Sequence, residues 1–225
     1  MNGVKMSNDL LLYATKKTID NFNDKFKIDM QDIHLYKSLY LLKREFDDEG
    51  INLRLPYYWY YMGPLMDIPS FKAETGVSFN EFAPYWPAGD HTLVSPTIDI
   101  ENPRDKETID DKIFGLMERI DKGKDLVHPK IKDPVKEWLL DSVYDFAPYA
   151  FQKTFRKFEL SFSIPDYADS EEMYNLLVRQ FPEDDFENIS DLYLEWENVI
   201  GQALEMGKKD FIIGINRSFW TAFCH

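Results

Sequence analysis

The sequence contains a single cysteine, Cys224, so the chain cannot form an internal disulfide. Proteins without disulfides are typical of reducing compartments, and we expect a cytoplasmic protein. No apolar run is long enough to cross a bilayer, and the first residues show no basic stretch followed by an apolar one, as a secretory leader would. The sequence therefore predicts a soluble protein with no membrane partner.

Patterns that carry chemistry are also scarce. The four histidines, His34, His91, His128 and His225, are scattered, and none pairs with another histidine or a cysteine at metal-ligand spacing. The chain has no glycine-rich phosphate loop and no Gly-x-Ser-x-Gly elbow. The sequence predicts no cofactor, no metal site and no catalytic residue, and it favours a protein without enzymatic activity.

One enzyme class needs little more than carboxylates and a lysine, namely the metal-dependent nucleases. Asp99 and Glu101 lie on a possible strand, and Asp110 and Lys112 follow with an Asp-x-Lys spacing. The lysine falls on a predicted helix, whereas such a site normally places it on a strand beside the acids. A nuclease is therefore the least favoured alternative.

Basic residues are outnumbered, with 26 Lys and Arg against 40 Asp and Glu, for a net charge of −14. General nucleic-acid binders usually show a basic excess, so the balance disfavours a nucleic-acid partner. The acid is concentrated in two blocks, 46–111 and 161–225, each with four basic against thirteen acidic residues. Such blocks are ordinary solvated surface, an acidic face offered to a basic partner, or a surface that imitates nucleic acid.

What the sequence does contain is apolar and aromatic mass. Hydrophobic residues make up 44% and aromatic residues 16% of the 225, enough for a folded core. The periodicity predicts an α+β fold that is mostly α-helical, a helical body with a small winged-helix-like β part. We expect a winged-helix-like part with a Pro-rich loop over 1–103 and a helical part over 104–225, packed together as one unit.

The chain is organised around residues 31–66. Leu35, Leu39, Leu42 and Phe46 repeat at helical spacing and predict a helix over about 32–49, which Gly50 should end in a left-handed conformation. Five aromatic residues at 57–61 then predict a strand, followed by the turn signal Gly63-Pro64. We expect that dipeptide to end the strand and turn the chain back over the helix.

Candidate binding residues lie on both elements. On a helical wheel Lys37, Leu41 and Arg44 group together, away from the predicted core face. On an ordinary surface helix they would simply be solvated, and on a binding helix they would meet a partner or a DNA groove. On the strand, Tyr58 and Tyr60 share one face, while Tyr57, Trp59 and Tyr61 share the other. Aromatic residues on both faces indicate either a strand that packs into the core on both sides or one face left for a partner. Our candidate partner-binding residues are therefore Lys37, Leu41, Arg44, Tyr58 and Tyr60.

The remaining segments are read from caps, prolines and periodicity. Short strands are predicted at 77–79, 97–100 and 211–215. Helices are predicted from a Ser7 cap to about Lys25, from an Asn102-Pro103 cap to Gly123, from an Asp133-Pro134 cap toward Pro148, from Asp169 to before Pro182, and from a Ser190 cap to Gly207.

Lys37, Leu39 and Tyr40 on a helix, followed by an aromatic strand and Gly63-Pro64, resemble the Panacea domain. That family comprises prokaryotic antitoxin-like and adaptor-like proteins, and the resemblance covers residues 31–66, with Ser38 between Lys37 and Leu39. It implies a non-catalytic, antitoxin-like or adaptor-like protein that binds a protein partner in a regulatory, toxin–antitoxin or phage-defence system. The alternative is a winged-helix transcriptional regulator that reads DNA through Lys37 and Arg44.

Overall fold

The structure is a computed structural model and describes residues 9–60, 62–83, 92–95 and 106–223. The fold is α+β and mostly α-helical, as predicted, and within these residues its small β part is one antiparallel pair of strands. No helix in the described ranges is long and apolar enough to cross a membrane. The elements are α1 (Asp9–Phe26), α2 (Asp32–Asp48), β1 (Tyr57–Tyr60), β2 (Gly63–Met66), α3 (Ile68–Thr75), α4 (Lys106–Gly123), α5 (Pro134–Tyr144), α6 (Ala150–Ser163), α7 (Ser170–Gln180), α8 (Ser190–Glu205) and α9 (Lys209–Phe223).

The chain divides into two compact units, Met1–Val143 and Tyr144–His225. This division differs from the predicted boundary at 103/104, because α4 belongs to the first unit. Ile109, Ile113 and Ile120 of α4 are buried in one cluster with the apolar faces of α1 and α2. A domain boundary at the end of the Pro-rich segment would therefore separate α4 from the core to which it belongs.

Polar contacts at the edge of that core hold α4 in the same place. The Tyr13 hydroxyl donates to Asp110 at 2.9 Å, and Lys112 pairs with Glu49 at 2.9 Å. Lys25 also pairs with Glu118, and Arg119 with Glu45. Each pair joins α4 to α1, to α2 or, through Glu49, to the residue that caps α2, so polar contacts at its margin as well as its apolar face position the helix.

The predicted core face of α2 is confirmed, because Leu35, Leu39, Leu42 and Phe46 are all fully buried. Its predicted end is confirmed as well. Gly50 has φ +75°, its N–H donates to Asp47 O at 3.1 Å, and Ile51 N–H donates to Phe46 O at 2.8 Å. This pair of bonds is a Schellman cap, which needs a left-handed residue where Gly50 stands.

The two strands form a hairpin that pairs Tyr57 with Met66 and Tyr60 with Gly63. Strand β1 ends at Tyr60, and Gly63 opens the return strand β2, which packs on α2. The predicted turn back over the central helix is therefore confirmed, although Gly63-Pro64 stands after the turn and not at the end of the first strand. Tyr61 lies outside the described residues.

The Pro-rich segment contains a short helix that the sequence did not predict. In α3 the Asp67 side chain caps the first turn by accepting from Ser70 N–H. The strand predicted at 77–79 is wrong: Phe79 starts a 3₁₀ turn and packs its ring against Phe71 and Phe82. The proposed strand at 97–100 and the caps at Ser7 and Asn102 lie outside the described residues.

The second unit comprises α6 to α9 and is built on stacked aromatic rings. Tyr193 of α8 lies parallel to Phe181 with 3.7 Å between ring centroids, and Trp196 contacts Phe219 of α9 at 5.2 Å. Buried Asn216 accepts a hydrogen bond from Trp196 Nε1 at 3.0 Å. Ring packing and this hydrogen bond together set how α8 and α9 meet.

The strand predicted at 211–215 is wrong, because these residues belong to α9. Ile212, Asn216 and Phe219 are buried at a spacing of four and three residues, which is the period of a helix with one face inside. The run of β-branched isoleucines favoured a strand locally, and packing against α8 overrides that preference. Ser190 is likewise not the cap of α8, since its hydroxyl donates to Glu187 O.

Candidate functional site

The candidate site is built around Lys37, which sequence reasoning placed on the surface. Lys37 is 0% exposed, and its Nζ donates to the Pro64 carbonyl oxygen at 2.7 Å. Burial lowers the pKa of Lys37 to about 7, and nearby Lys136 acts in the same direction while Asp32 opposes it. The lysine therefore connects the middle of α2 to the second residue of β2.

Gly63 makes room for this contact. It has φ +79°, and a Cβ placed on it would lie 3.0 Å from Val143 Cγ2 and 3.7 Å from Lys37 Nζ. A side chain there would meet both an unfavourable backbone conformation and a filled space. Lys37, Gly63 and Pro64, which carry part of the resemblance to the Panacea domain, thus meet in one contact that fixes the hairpin on α2.

The predicted outward face of α2 is wrong for two of its three residues. Lys37 is fully buried and Leu41 is 8% exposed, whereas Arg44 is exposed. The reason is that α2 is covered by α1 and α4 on one side and by β2 on another. A helix enclosed in this way buries more than the single stripe that its periodicity predicts.

The strand β1 carries the exposed aromatic surface. Tyr58 is 52% and Tyr57 37% exposed, and Tyr60 is half-buried. Tyr40 of α2 lies beneath, with its ring edge-on to Tyr57 at 5.1 Å and to Trp59 at 5.6 Å. We call β1 and β2 together the aromatic hairpin; its predicted alternation is confirmed in that Tyr57 and Trp59 share the face that contacts Tyr40.

The hydrogen bonds of the aromatic hairpin leave one edge of β1 facing away from β2. Asp67 N–H donates to Pro56 O at 3.0 Å, which places Pro56, Tyr58 and Tyr60 with their backbone groups toward β2. Tyr57 and Trp59 therefore direct theirs to the opposite edge. The sheet that the structure describes has only these two strands, and an edge strand of this kind can pair with another chain.

The outer edge of β2, by comparison, has fewer backbone groups available to another strand. Pro64 pairs with Trp59, so its backbone also points away from the partner strand, but proline has no N–H to donate. Its carbonyl oxygen already accepts a hydrogen bond from Lys37 Nζ. The two edges of the aromatic hairpin thus differ, and the outer edge of β1, at Tyr57 and Trp59, is the one suited to pairing with a partner.

The phenol groups near this surface are held neutral. Burial raises the pKa of Tyr36, with Asp32 and Tyr58 adding to the effect. Burial also raises the pKa of Tyr40, with Tyr57 contributing. Tyr36 and Tyr40 are both buried, so these neutral phenols belong to the support beneath the hairpin, while Tyr57 and Tyr58 carry its exposed rings.

His34 is a structural residue. It is buried, its Nδ1 accepts from Gln31 N–H at 3.2 Å, and its Nε2 lies 3.1 Å from Asp133 Oδ2. Burial alone would raise the pKa of Asp133, but hydrogen bonds from His34 and from Lys136 N–H hold it below its usual value. The predicted Asp133-Pro134 cap of α5 is confirmed, and His34 ties it to α2.

The residues considered for a nuclease site are engaged elsewhere or lie outside the described ranges. Asp110 accepts from Tyr13, and Lys112 is paired with Glu49, the residue that follows α2. Asp99 and Glu101 belong to the part that is not described. Among the residues that the structure describes, no group of three or more His, Cys, Asp or Glu side chains could hold a metal ion.

Comparison with protein-family models, with curated proteins and with solved structures finds no match for this chain.

Proposed function

We propose that this chain is a non-catalytic protein-interaction module that binds a protein partner through the aromatic hairpin. The observation that supports this most directly is the exposure of Tyr57 and Tyr58 on strand β1. This strand is held in place by Tyr40 beneath it and by its pairing with β2. A prokaryotic regulatory, toxin–antitoxin or phage-defence setting rests on the resemblance to the Panacea domain alone. Of the candidate residues, Tyr58, Tyr60 and Arg44 stay in this proposal, whereas Lys37 and Leu41 are buried and Lys37 holds the hairpin on α2.

The energetics favour such a use. Tyrosine is enriched at binding hot spots because it offers a large contact area and loses little rotamer freedom. Here the exposed Tyr57 ring is held by Tyr40, and the hairpin is held by the contact between Lys37 and Pro64. A surface ordered before binding loses less entropy on association, so a modest area can support specific binding.

The test is photo-cross-linking in cells of the native host, with a benzophenone amino acid at position 58. The matched control places it at Phe114 of α4, which is apolar and 62% exposed but far from the hairpin in sequence. We expect a cross-linked protein at position 58 and not at 114. With that protein purified, Tyr58→Ser should weaken binding about tenfold or more, and Phe114→Ser less than about twofold.

Equal cross-linking at both positions, or a partner whose affinity is unchanged by Tyr58→Ser, would remove the hairpin from the proposal. The DNA-binding alternative is judged by a mobility-shift titration against the upstream DNA of the gene. Of the two residues expected to read DNA, Arg44 is exposed and Lys37 is buried. A shift that weakens with salt and with Arg44→Ala would favour the regulator over the module.

A further inference from the structure

We propose that the groove between α8 and α9 binds a basic, amphipathic helix of a partner protein. This surface belongs to the second unit, and the inference does not depend on the function proposed for the aromatic hairpin.

The groove has the form expected of a helix-binding surface. Leu192, Glu195, Trp196 and Val199 line it from α8, at the spacing of one helical face; Ile215, Ser218 and Phe219 line it from α9 in the same way. A short turn through Gly207, at φ +65°, joins the two helices and makes them antiparallel neighbours. The space between them measures about 240 Å³.

The floor and the walls of the groove are apolar. Trp196 and Phe219 form a buried floor, with 5.2 Å between their ring centroids. Leu192 stands exposed on one wall, and Val199 and Ile215 are half-buried above the floor. Exposed apolar surface bordered by polar residues is typical of protein interaction sites.

The border of the groove is acidic. Glu195 lies in its wall, and Asp191 lies one turn earlier on the same side of α8; both are exposed. Four further exposed acids, Glu183, Asp184, Asp185 and Glu187, precede α8 in the sequence; they increase the negative charge of this unit but do not line the groove. Within the described part of the chain none of these carboxylates forms an ion pair. Burial raises the pKa of Glu159 on α6, and Arg217, the arginine of α9, instead acts there and partly offsets that rise.

These features together specify the occupant. Two antiparallel helices with apolar stripes offer ridges and a groove into which a third helix can pack. The unpaired acids at the border select lysine and arginine on the flanks of that helix. A second copy of this chain is a poor fit, because its net charge of −14 would bring like charges together.

The probe is a synthetic amphipathic peptide of about 16 residues, roughly four turns, with leucine on one face and lysine on the other. Binding to the full chain is followed by anisotropy of a dye on the peptide. We expect one site per chain, weaker at about 300 mM than at about 50 mM salt. A peptide of the same composition in scrambled order, and one with glutamate for lysine, should each bind at least about tenfold less tightly.

Two exposed groove positions test the location. Glu195→Lys and Leu192→Ser should each weaken peptide binding by about tenfold, with circular dichroism and thermal melting confirming the fold. The matched controls are Glu107→Lys and Phe114→Ser on α4, both exposed, which should change binding less than about twofold. Equal effects of groove and control variants, equal binding of the scrambled peptide, or self-association abolished by Glu195→Lys would each overturn the proposal.

Discussion

Lys37 Nζ donates a hydrogen bond to the carbonyl oxygen of Pro64 at 2.7 Å, across 27 residues of sequence. The lysine lies at the centre of α2 with no exposed surface, and the carbonyl lies on the outer edge of β2. The bond satisfies a backbone acceptor that points away from β1, and it fixes the hairpin that presents the exposed tyrosines.

This burial predicts a stability that rises with pH. The pKa of Lys37 is about 7 in the folded chain, below its ordinary value of 10.5, because burial disfavours the charge. Between these values the unfolded chain binds more protons, so the free energy of unfolding increases as pH rises through this window. Raised tyrosine pKa values oppose this only above about pH 10, so denaturation should be measured from about pH 6.5 to 9.5.

Lys37→Met should flatten that dependence, because methionine carries no charge to bury. The full shift of the Lys37 pKa corresponds to at most about 5 kcal/mol in the free energy of unfolding. Loss of the hydrogen bond to Pro64 offsets part of any stability that the substitution gains at low pH. Lys72→Met, at an exposed lysine of α3, is the control and should keep the wild-type slope. A parallel slope in Lys37→Met would mean that another group is responsible.

Gly63→Ala should destabilise the chain more than Gly50→Ala. Both glycines have a positive φ, so both substitutions strain the backbone by about 1–3 kcal/mol. Only at Gly63 would the new Cβ also press on Val143, at 3.0 Å; at Gly50 nothing lies within 4 Å. Urea denaturation of the two variants separates packing from strain, and equal losses would mean that Val143 and Lys37 simply move aside.

Gly123→Ala should be severely destabilising, by about 1–3 kcal/mol or more. Gly123 ends α4 as predicted, but its φ is −73°, so it is not a left-handed cap. Its role is steric, since a Cβ would lie 1.8 Å from Trp138 Nε1. Gly214→Ala, on an open face of α9, is the matched control and should be neutral or stabilising by up to about 1 kcal/mol in thermal melts.

Tyr58 and Tyr40 should separate binding from stability. Tyr58→Ser removes an exposed ring and should change the free energy of unfolding by less than about 0.5 kcal/mol. Tyr40→Ala removes a buried ring that contacts Tyr57 and Trp59 and should cost about 3–5 kcal/mol. Denaturant titration measures both; a large loss in Tyr58→Ser would make that residue part of the core and unsuitable as a binding probe.

Local rules determined much of this fold from the sequence alone. The helical repeat from Leu35 to Phe46 predicted the core face of α2, Gly50 predicted its C-terminal cap, and Asp133-Pro134 predicted the start of α5. Each of these signals depends only on residues within a turn or two. The alternation of Tyr57 and Trp59 against Tyr58 likewise follows from the two-residue period of a strand. These features need no information about distant segments.

Tertiary packing decided the rest. Lys37 looked exposed because a single-helix pattern cannot show that a hairpin will cover a second side of α2 and supply an acceptor at Pro64. The isoleucines of α9 favoured a strand locally, whereas packing against α8 makes this segment a helix. The sequence predicts Gly123 only as the end of α4, and it could not show that Trp138 fills the space beside it. In each case the sequence set what a residue could do locally, and contacts with distant residues, which no local period encodes, determined which option the chain takes.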